Sequence, residues 1–463
     1  MTTLTPTPRI VIVGAGCSGT LLAAQLLRQA RSPMEVVLLE RNPQGFGRGV
    51  AYGTTVRSHL LNVPAARMGA YSDQPGGFLA WAEARKEHLL DAPRVPAVGP
   101  EDFLPRRAFG AYLLEVLAQA ERTAVPGARL VRRIGEAASL SRAGAGWRVD
   151  LLDGEGLLAD RVVLALGNFP PGDPDLPDAG FLRSPAYHGN PWAPGALETV
   201  ARTSNCLLIG SGLTMVDWAL GLSDLGYEGR IWSLSRRGLR VHEHRTASPP
   251  PGLPAPEAAP RTARGWLRWI RAASRGPGGW RGAVDALRSA TPSIWAGLGV
   301  DEQRRFLRHL RAYWDAHRHR MPPAVAARLA SMRAEGQLLG RAGRLRACHE
   351  IPGGLRVEFT PRGTNDPESL EVGAVVNCMG SESDYRRLDS RLVRSLLGAG
   401  LVRTDVHRLG LEATEEGQLL GRDGTKEELF TLGPPRKGQA WETTAVPEIR
   451  VQAEALATRL LRP

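Results

Sequence analysis

Three glycines and one carboxylate near the start of the chain have the types and the spacing to hold a dinucleotide. Gly14, Gly16 and Gly19 lie in Arg9-Ile-Val-Ile-Val-Gly14-Ala15-Gly16-Cys17-Ser18-Gly19, ahead of Leu-Leu-Ala-Ala-Gln-Leu-Leu and then Val36-Val-Leu-Leu-Glu40. The pattern predicts a buried strand, a glycine turn, a helix and a second buried strand ending in an acid. Gly14 permits the tight turn, Gly16 lets the backbone approach a pyrophosphate, and Gly19 allows close helix–strand packing. The helix N-terminus offers free N–H groups and a positive dipole end to phosphates. Glu40 follows at the offset of about 20 residues from which a carboxylate accepts from ribose hydroxyls. A glycine-rich turn with no ligand is the bland alternative.

A second copy differs in its polar groups. Asn205-Cys-Leu-Leu-Ile-Gly210-Ser-Gly212-Leu213-Thr214-Met215-Val-Asp217 again reads as strand, glycine turn and helix, and it leads into Arg230-Ile-Trp-Ser-Leu-Ser235-Arg236-Arg237-Gly238. Here the following strand ends in Arg236 and Arg237. Guanidinium groups at that place suit a 2′-phosphate, which favours NADPH over NADH. Met215 replaces the third glycine and weakens the match.

Other residues could do chemistry with less definition. Arg304, Arg308, His309, Arg318, His319 and Arg320 are interleaved with Phe306 and Trp314 at helical spacings. Such a face could hold a carboxylate or phosphate of a substrate, with Arg318 and Arg320 the candidates, or the coenzyme's own phosphates. The four cysteines, Cys17, Cys206, Cys348 and Cys378, contain no C-x-x-C pair, which argues against a redox dithiol and against a metal cluster. Buried, inert thiols are the expectation.

The elements that must position these groups follow in order along the chain. The fold class is α/β: two Rossmann-like dinucleotide-binding domains with a helical insertion in the second. Residues 1–170 form the first module, with a strand Arg161-Val-Val-Leu-Ala-Leu-Gly167-Asn168 near its end. A Pro/Gly/Asp-rich connection, Phe169 to Asp178, then reads as a crossing between domains. Residues 171–370 form the coenzyme and substrate domain, with an aromatic, arginine-rich helical insertion over about 262–335. Residues 371–463 return to the first domain, through a strand Val375-Val-Asn-Cys-Met-Gly380 and a closing helix from Pro447 to Leu461, with Pro447 suited to a first turn.

At 463 residues and net charge +12, the chain is basic almost wholly through arginine; lysine occurs only as Lys86, Lys426 and Lys437. The charge is dispersed and no nucleic-acid motif accompanies it, so no specific nucleic-acid partner is expected. Strand residues begin almost at once and no apolar run is long enough to span a bilayer, so a soluble, cytoplasmic protein with no membrane partner is expected. A homo-oligomer is compatible with the sequence.

The chain resembles the bacterial FAD/NAD(P)-binding proteins related to flavin-dependent, two-dinucleotide monooxygenases. Besides the two glycine turns, the resemblance is carried by Gly47-Arg-Gly-Val-Ala-Tyr52-Gly53, Leu60-Leu-Asn62-Val-Pro64-Ala-Ala-Arg67-Met68 and Pro105-Arg106-Arg107-Ala-Phe-Gly110-Ala-Tyr112. Ser235-Arg-Arg-Gly238, Trp314-Asp-Ala-His-Arg318-His319-Arg320 and Trp441-Glu442-Thr-Thr-Ala-Val-Pro447-Glu448-Ile-Arg450 extend it almost to the end.

The resemblance implies that Gly14, Ala15, Gly16, Ser18, Gly19, Glu40 and Arg41 hold the adenosine and pyrophosphate of FAD. Asn62 and Met68 would run beside the isoalloxazine, Trp441 and Pro447 would reach it from the other side, and Gly167 and Gly380 would mark the returns between domains. Gly210, Gly212, Leu213, Thr214, Arg236 and Arg237 would take NADPH. His188 and Trp192 resemble part of the fingerprint of flavin monooxygenases that retain NADP through oxygen chemistry, and are the catalytic candidates; Leu182 and Ser184 depart from that fingerprint. No metal is implied. The implied activity is hydroxylation of a small-molecule substrate with O2 and NADPH through a flavin C4a-hydroperoxide. An NAD(P)H-dependent flavin reductase that inserts no oxygen, and a non-catalytic dinucleotide-binding regulator, fit the same motifs.

Overall fold

The computed structural model of the protein describes residues 7–86, 97–245, 250–255 and 258–462. The chain divides into two compact units: Met1–Thr55, Val63–Phe169 and Ser383–Pro463 make the first, and Val56–Asn62 with Pro170–Glu382 make the second.

The first unit is built on strands β1 (Arg9–Val13), β2 (Met34–Glu40), β3 (Ala128–Ile134), β7 (Arg161–Leu164), β15 (Gln418–Leu420) and β16 (Lys426–Thr431), in the order β15-β16-β7-β1-β2-β3. All neighbours are parallel except β15 and β16. A parallel strand covered on both faces needs apolar residues throughout, and Ile10 to Val13 are all buried. Val11 and Val13 join Val37, Leu39, Val162 and Leu164 in one core face. That face packs against the antiparallel strands β4 (Ala137–Ala143), β5 (Gly146–Leu151) and β6 (Gly156–Ala159) through Trp147, Val149 and Ala159. The helix Cys17–Gln29 packs against the helices Arg106–Thr123 and Val446–Leu460.

The second unit carries β8 (Tyr187–His188), β9 (Asn205–Ile209), β10 (Arg230–Ser235), β11 (Leu338–Ile351), β12 (Gly354–Pro361), β13 (Glu368–Val372) and β14 (Ala374–Asn377), in the order β13-β12-β11-β10-β9-β14-β8. Alternate residues of β9 feed opposite cores: Cys206 and Leu208 face one layer, Leu207 and Ile209 the other. This two-sided burial is what the unbroken apolar run 206–209 encodes.

The sequence placed 371–463 with the first domain, yet β14 pairs in parallel with β9 and β8 and so belongs to the second unit's sheet. Its alternation explains why: Val375 enters one core of that unit, Ala374 and Val376 the other. The chain changes unit after Glu382. The short segment Val56–Asn62 also sorts with the second unit. Within the helical region the helix Val300–Arg305 continues through a π turn, Phe306–Leu310, into the helix Arg311–Arg318. Among the described residues no helix is long and apolar enough to cross a membrane.

Candidate dinucleotide sites

In the first unit, Gly14 turns with φ 104°, a conformation L side chains rarely adopt, and a Cβ there would meet the Ala165 carbonyl oxygen at 2.4 Å. Its N–H donates to the Leu39 carbonyl at 2.8 Å, and the Ala165 N–H donates to Val13 at 2.9 Å, so the turn crosses over the sheet between β2 and β7. Gly19 has the tighter constraint: a Cβ would lie 1.9 Å from the Gly14 carbonyl oxygen. Gly16 is different. Its absent Cβ meets little, the nearest atom being the Cα of Gly49 at 3.5 Å, and no side chain caps the helix it opens. The first-turn N–H groups therefore face an approachable backbone, the arrangement that receives a phosphate.

Glu40 ends β2 and reaches back to this turn. Its Oε2 accepts from the Ala15 N–H at 2.9 Å and its Oε1 from the Asn42 N–H at 3.1 Å. A carboxylate has about four acceptor positions, so each oxygen keeps one for a hydroxyl. Arg41 points outward, 3.7 Å from Glu136. Gly433, which sequence reasoning did not single out, also lines this corner: with φ 73°, it lies where a Cβ would meet the Ser18 hydroxyl at 2.6 Å. Its signal was a glycine directly after an apolar strand and before Pro434-Pro435. Gly49, quoted from the sequence without a role, supplies the surface facing Gly16.

Met68 is buried beside the short turn Ala65–Arg67. The Arg450 guanidinium donates to the carbonyls of Arg67 at 3.3 Å and Gly69 at 3.0 Å, tying that turn to the helix Val446–Leu460, which has Pro447 as its second residue. Trp441 is buried under the Lys437 ammonium, 5.6 Å from its ring centroid. Glu448 stands in the helix's first turn, so the N-terminus there already has a carboxylate. Asn62 lies in the segment that sorts with the second unit, and its carbonyl is 3.0 Å from His244 Nε2.

The second turn repeats the first. Gly210, φ 125°, donates to Leu234 at 2.8 Å, and a Cβ there would meet the Cys378 carbonyl oxygen at 2.3 Å. Gly212 opens the helix Leu213–Asp224 with no side-chain cap and nothing within 4 Å of its missing Cβ; Leu213 and Thr214 form the first turn. Met215 is 4% exposed within the core, so that position fills space here. Ser235 takes the place of Glu40: the Ser211 hydroxyl donates to Ser235 Oγ at 3.0 Å, and the Gly238 N–H donates to it at 3.1 Å. Arg236 is exposed, and the Arg237 guanidinium lies 5.6 Å from the Tyr313 ring centroid. Gly167 and Gly380 each follow the strand their turn crosses, with φ 64° and 91° and open space around them.

The remaining candidates do not assemble as the sequence suggested. His188 is half-buried in β8, with its imidazole pKa held below 6.5 by burial. Trp192 instead meets the ring of His59, edge-on at 6.1 Å, and His59 Nε2 is 3.1 Å from the Asp217 carbonyl. The expected cationic helix face splits. Arg304, Arg308 and His309 face solvent, with Arg304 paired to Asp301 at 3.1 Å, whereas Arg318 and Arg320 turn inward and are buried, Arg320 paired with Asp285. The π turn between them shifts the helical register, which spacing alone cannot reveal.

Burial drives the thiols of Cys17, Cys206 and Cys348 up to about 12 and holds that of Cys378 well above its ordinary value, so all four stay protonated near neutral pH. Among the described residues, no group of three or more His, Cys, Asp or Glu is placed to hold a metal.

The family model described as FAD-NAD(P)-binding matches residues 11–169, the stretch containing the first glycine turn and Glu40. No curated protein matches the chain by sequence. The fold is similar to that of an ornithine N-hydroxylase from Kutzneria sp. 744, solved with reduced FAD, NADP+ and L-ornithine, with TM-score 0.64 and 13% identity over 98% of this chain and 99% of that one. L-lysine 6-monooxygenase from Pseudomonas syringae gives TM-score 0.64 and 16% identity over 97% and 98%. The cadaverine monooxygenase of Erwinia amylovora desferrioxamine biosynthesis, bound to FAD, gives 0.60 and 13% over 99% and 96%. The α/β fold class, the FAD/NAD(P)-binding resemblance over residues 11–169 and the likeness in fold to flavin monooxygenases are therefore borne out.

Proposed function

We propose that the protein is an FAD-dependent, NADPH-using monooxygenase that hydroxylates a small amine-bearing metabolite with O2. The observation that carries this reading is the pair of glycine turns with opposite chemistry at their strand ends, one closed by the Glu40 carboxylate, the other by Ser235 with Arg236 and Arg237. The likeness to hydroxylases of ornithine, lysine and cadaverine supports the choice of an amine over other metabolites.

The residues present fit both nucleotides. Gly14, Ala15, Gly16, Ser18 and Gly19 would present the uncapped first turn of Cys17–Gln29 to the FAD pyrophosphate, and Glu40 would accept from the adenosine ribose. Met68, Trp441 and Pro447 would line the flavin's place. Gly210, Gly212, Leu213 and Thr214 would do the same for the coenzyme pyrophosphate, with Arg236 and Arg237 on the 2′-phosphate. When bound, the flavin supplies hydride acceptance and oxygen activation; the protein supplies orientation and exclusion of water.

Anaerobic mixing of the purified yellow protein with NADPH, followed by admission of air and a panel of primary amines, tests the reading. Flavin bleaching, then amine-dependent NADPH consumption with little peroxide, is the expected result. Bleaching with stoichiometric peroxide whatever amine is present would leave a reductase. A colourless protein that cannot be reconstituted with FAD would remove the proposal. Glu40→Ala should retain FAD more weakly than wild type.

A further inference from the structure

Three stretches distant in sequence, His242–Arg245, Trp280–Asp285 and His317–Arg320, meet in the second unit. The rings of His242, Trp280 and His317 form a triangle, with centroids 4.8 Å apart for His242–Trp280, 4.7 Å for Trp280–His317 and 4.6 Å for the two imidazoles. Two guanidinium groups flank the indole: Arg281 is 4.3 Å and Arg320 5.9 Å from its centroid. Arg281 also donates to the Glu243 carbonyl at 3.1 Å, and Arg245 pairs with the Glu243 carboxylate at 2.6 Å. Asp285 is taken by Arg320.

Positive charge exceeds negative here. Within these stretches Arg245, Arg281, Arg318 and Arg320 are offset only by Glu243 and Asp285. Arg320 is 3% exposed, yet its Nε–H has no hydrogen-bond partner among the described residues. A buried guanidinium with an unspent N–H costs stability unless an acceptor joins it, and the half-buried Arg281 adds a second positive charge beside it. The imidazoles register the excess. His242 is held below 6.5 by burial first, then by His317, Arg281 and Arg320, with Glu243 opposing. His244 is lowered to about 4 by burial and then by Arg320, with Arg318 adding and the Asn62 carbonyl and Asp285 opposing.

We propose that this cluster is an anion-binding site, in which Arg281 and Arg320, beside Trp280 and flanked by His242 and His317, receive a carboxylate or phosphate group. Two molecules of the proposed reaction can carry one: the coenzyme, and an amine substrate that also bears a carboxylate. The link to that reaction is the helix Arg311–Arg318. Its Tyr313 lies under Arg237, and the Tyr313 carbonyl is 2.7 Å from Nδ1 of His317, one turn on. Only the source of the anion rests on the oxygenase reading; the site itself does not. An incoming anion would stabilise the imidazolium of His242, so binding takes up a proton and tightens as pH falls.

Sulfate, a dianion across the relevant range, is the probe. Calorimetric titration of the holoprotein at constant ionic strength should give saturable binding, about tenfold tighter near pH 6 than near pH 8. Arg281→Gln should weaken it about tenfold. In wild type, sulfate should raise the His242 imidazole pKa seen by NMR, whereas chloride should leave it unmoved. Equal responses to sulfate and chloride, or sulfate binding indifferent to Arg281→Gln, would overturn the site. Displacement of sulfate by NADP+ would assign the site to the coenzyme, and displacement by succinate alone to a carboxylate-bearing substrate; both support it. Failure of the oxygenase reading is seen separately, in flavin reduction and peroxide release.

Discussion

The glycine turn of the first unit and that of the second are closed by matching backbone bonds and differ in what stands at the end of the next strand. Gly14 donates to Leu39 and Gly210 to Leu234, both at 2.8 Å; Ala165 donates to Val13 and Cys378 to Ile209, both at 2.9 Å. At the strand end the first turn has a carboxylate bonded to its backbone, and the second has a chain of hydroxyls followed by two guanidinium groups. An acid there welcomes ribose hydroxyls and repels a phosphate; neutral hydroxyls beside arginines do the reverse. On the proposed reading, the backbone makes the nucleotide site and the strand-end side chains choose the nucleotide. The third position teaches a second lesson. Gly19 is required by a helix pressed onto its turn, while Met215 fills core at the corresponding place. That glycine serves packing, so its loss in the second turn does not count against binding.

The comparison can be broken most forcefully at Gly19. Gly19→Ala places a methyl against backbone 1.9 Å away, so the helix must shift. A loss of about 3 kcal/mol in unfolding free energy, with loss of bound flavin, is expected. Met215→Leu, at the matching position, should stay within about 1 kcal/mol by denaturant unfolding. Equal tolerance at both would mean that the two helices pack alike.

Arg236→Ala/Arg237→Ala removes the guanidinium groups proposed as partners of the 2′-phosphate. Apparent NADPH affinity in anaerobic flavin reduction should fall by about one to two powers of ten, corresponding to roughly 1.5–3 kcal/mol, with NADH nearly unaffected. Should both coenzymes suffer equally, the arginines hold structure. Ser235→Glu would import the first turn's acid into the second. It should lower the preference for NADPH over NADH by about tenfold in the same assay, a change of about 1.4 kcal/mol.

The smallest structural effect belongs to Gly212→Ala. With φ −85° and open space around its Cβ, stability should change by less than about 0.5 kcal/mol. Flavin reduction by NADPH should nonetheless slow, because the methyl would stand where the proposed site receives the pyrophosphate. Unchanged reduction kinetics would place the pyrophosphate elsewhere.

Much of this was legible because the constraints are local. A left-handed glycine between an apolar strand and an amphipathic helix is written in consecutive residues, and so is the strand-end residue that answers it. Glu40 and Arg236 could be found by counting. What stayed hidden depends on partners distant in sequence. Nothing local assigns Val375 and Val376 to the sheet of β9 in preference to the sheet of β1. The long strand β11 carries Arg341, Arg344 and Arg346 without a clean two-residue period, which hid its pairing with β10 and β12. Arg318 and Arg320 read as one face with Arg304, but the π turn breaks the spacing before Arg318, and Arg320 lies beyond the helix end. The cluster around Trp280 was invisible for the same reason, since its members lie in three stretches and no spacing relates them.

The discontinuity of the units sets an order of assembly on the ribosome. Every segment of the second unit, Val56–Asn62 included, has been synthesised once Glu382 emerges. The first unit must wait. Its strand β16 enters beside β7, with the Thr431 hydroxyl donating to the Leu164 carbonyl, and its closing helix Val446–Leu460 covers Cys17–Gln29. Until those last segments arrive, β7 lacks its outer neighbour and the helix behind Gly16 lacks one wall. The second unit can thus be folded in the nascent chain while the first is still open, and a ribosome that stops short of β16 leaves a chain able to complete only one of its two glycine-turn units.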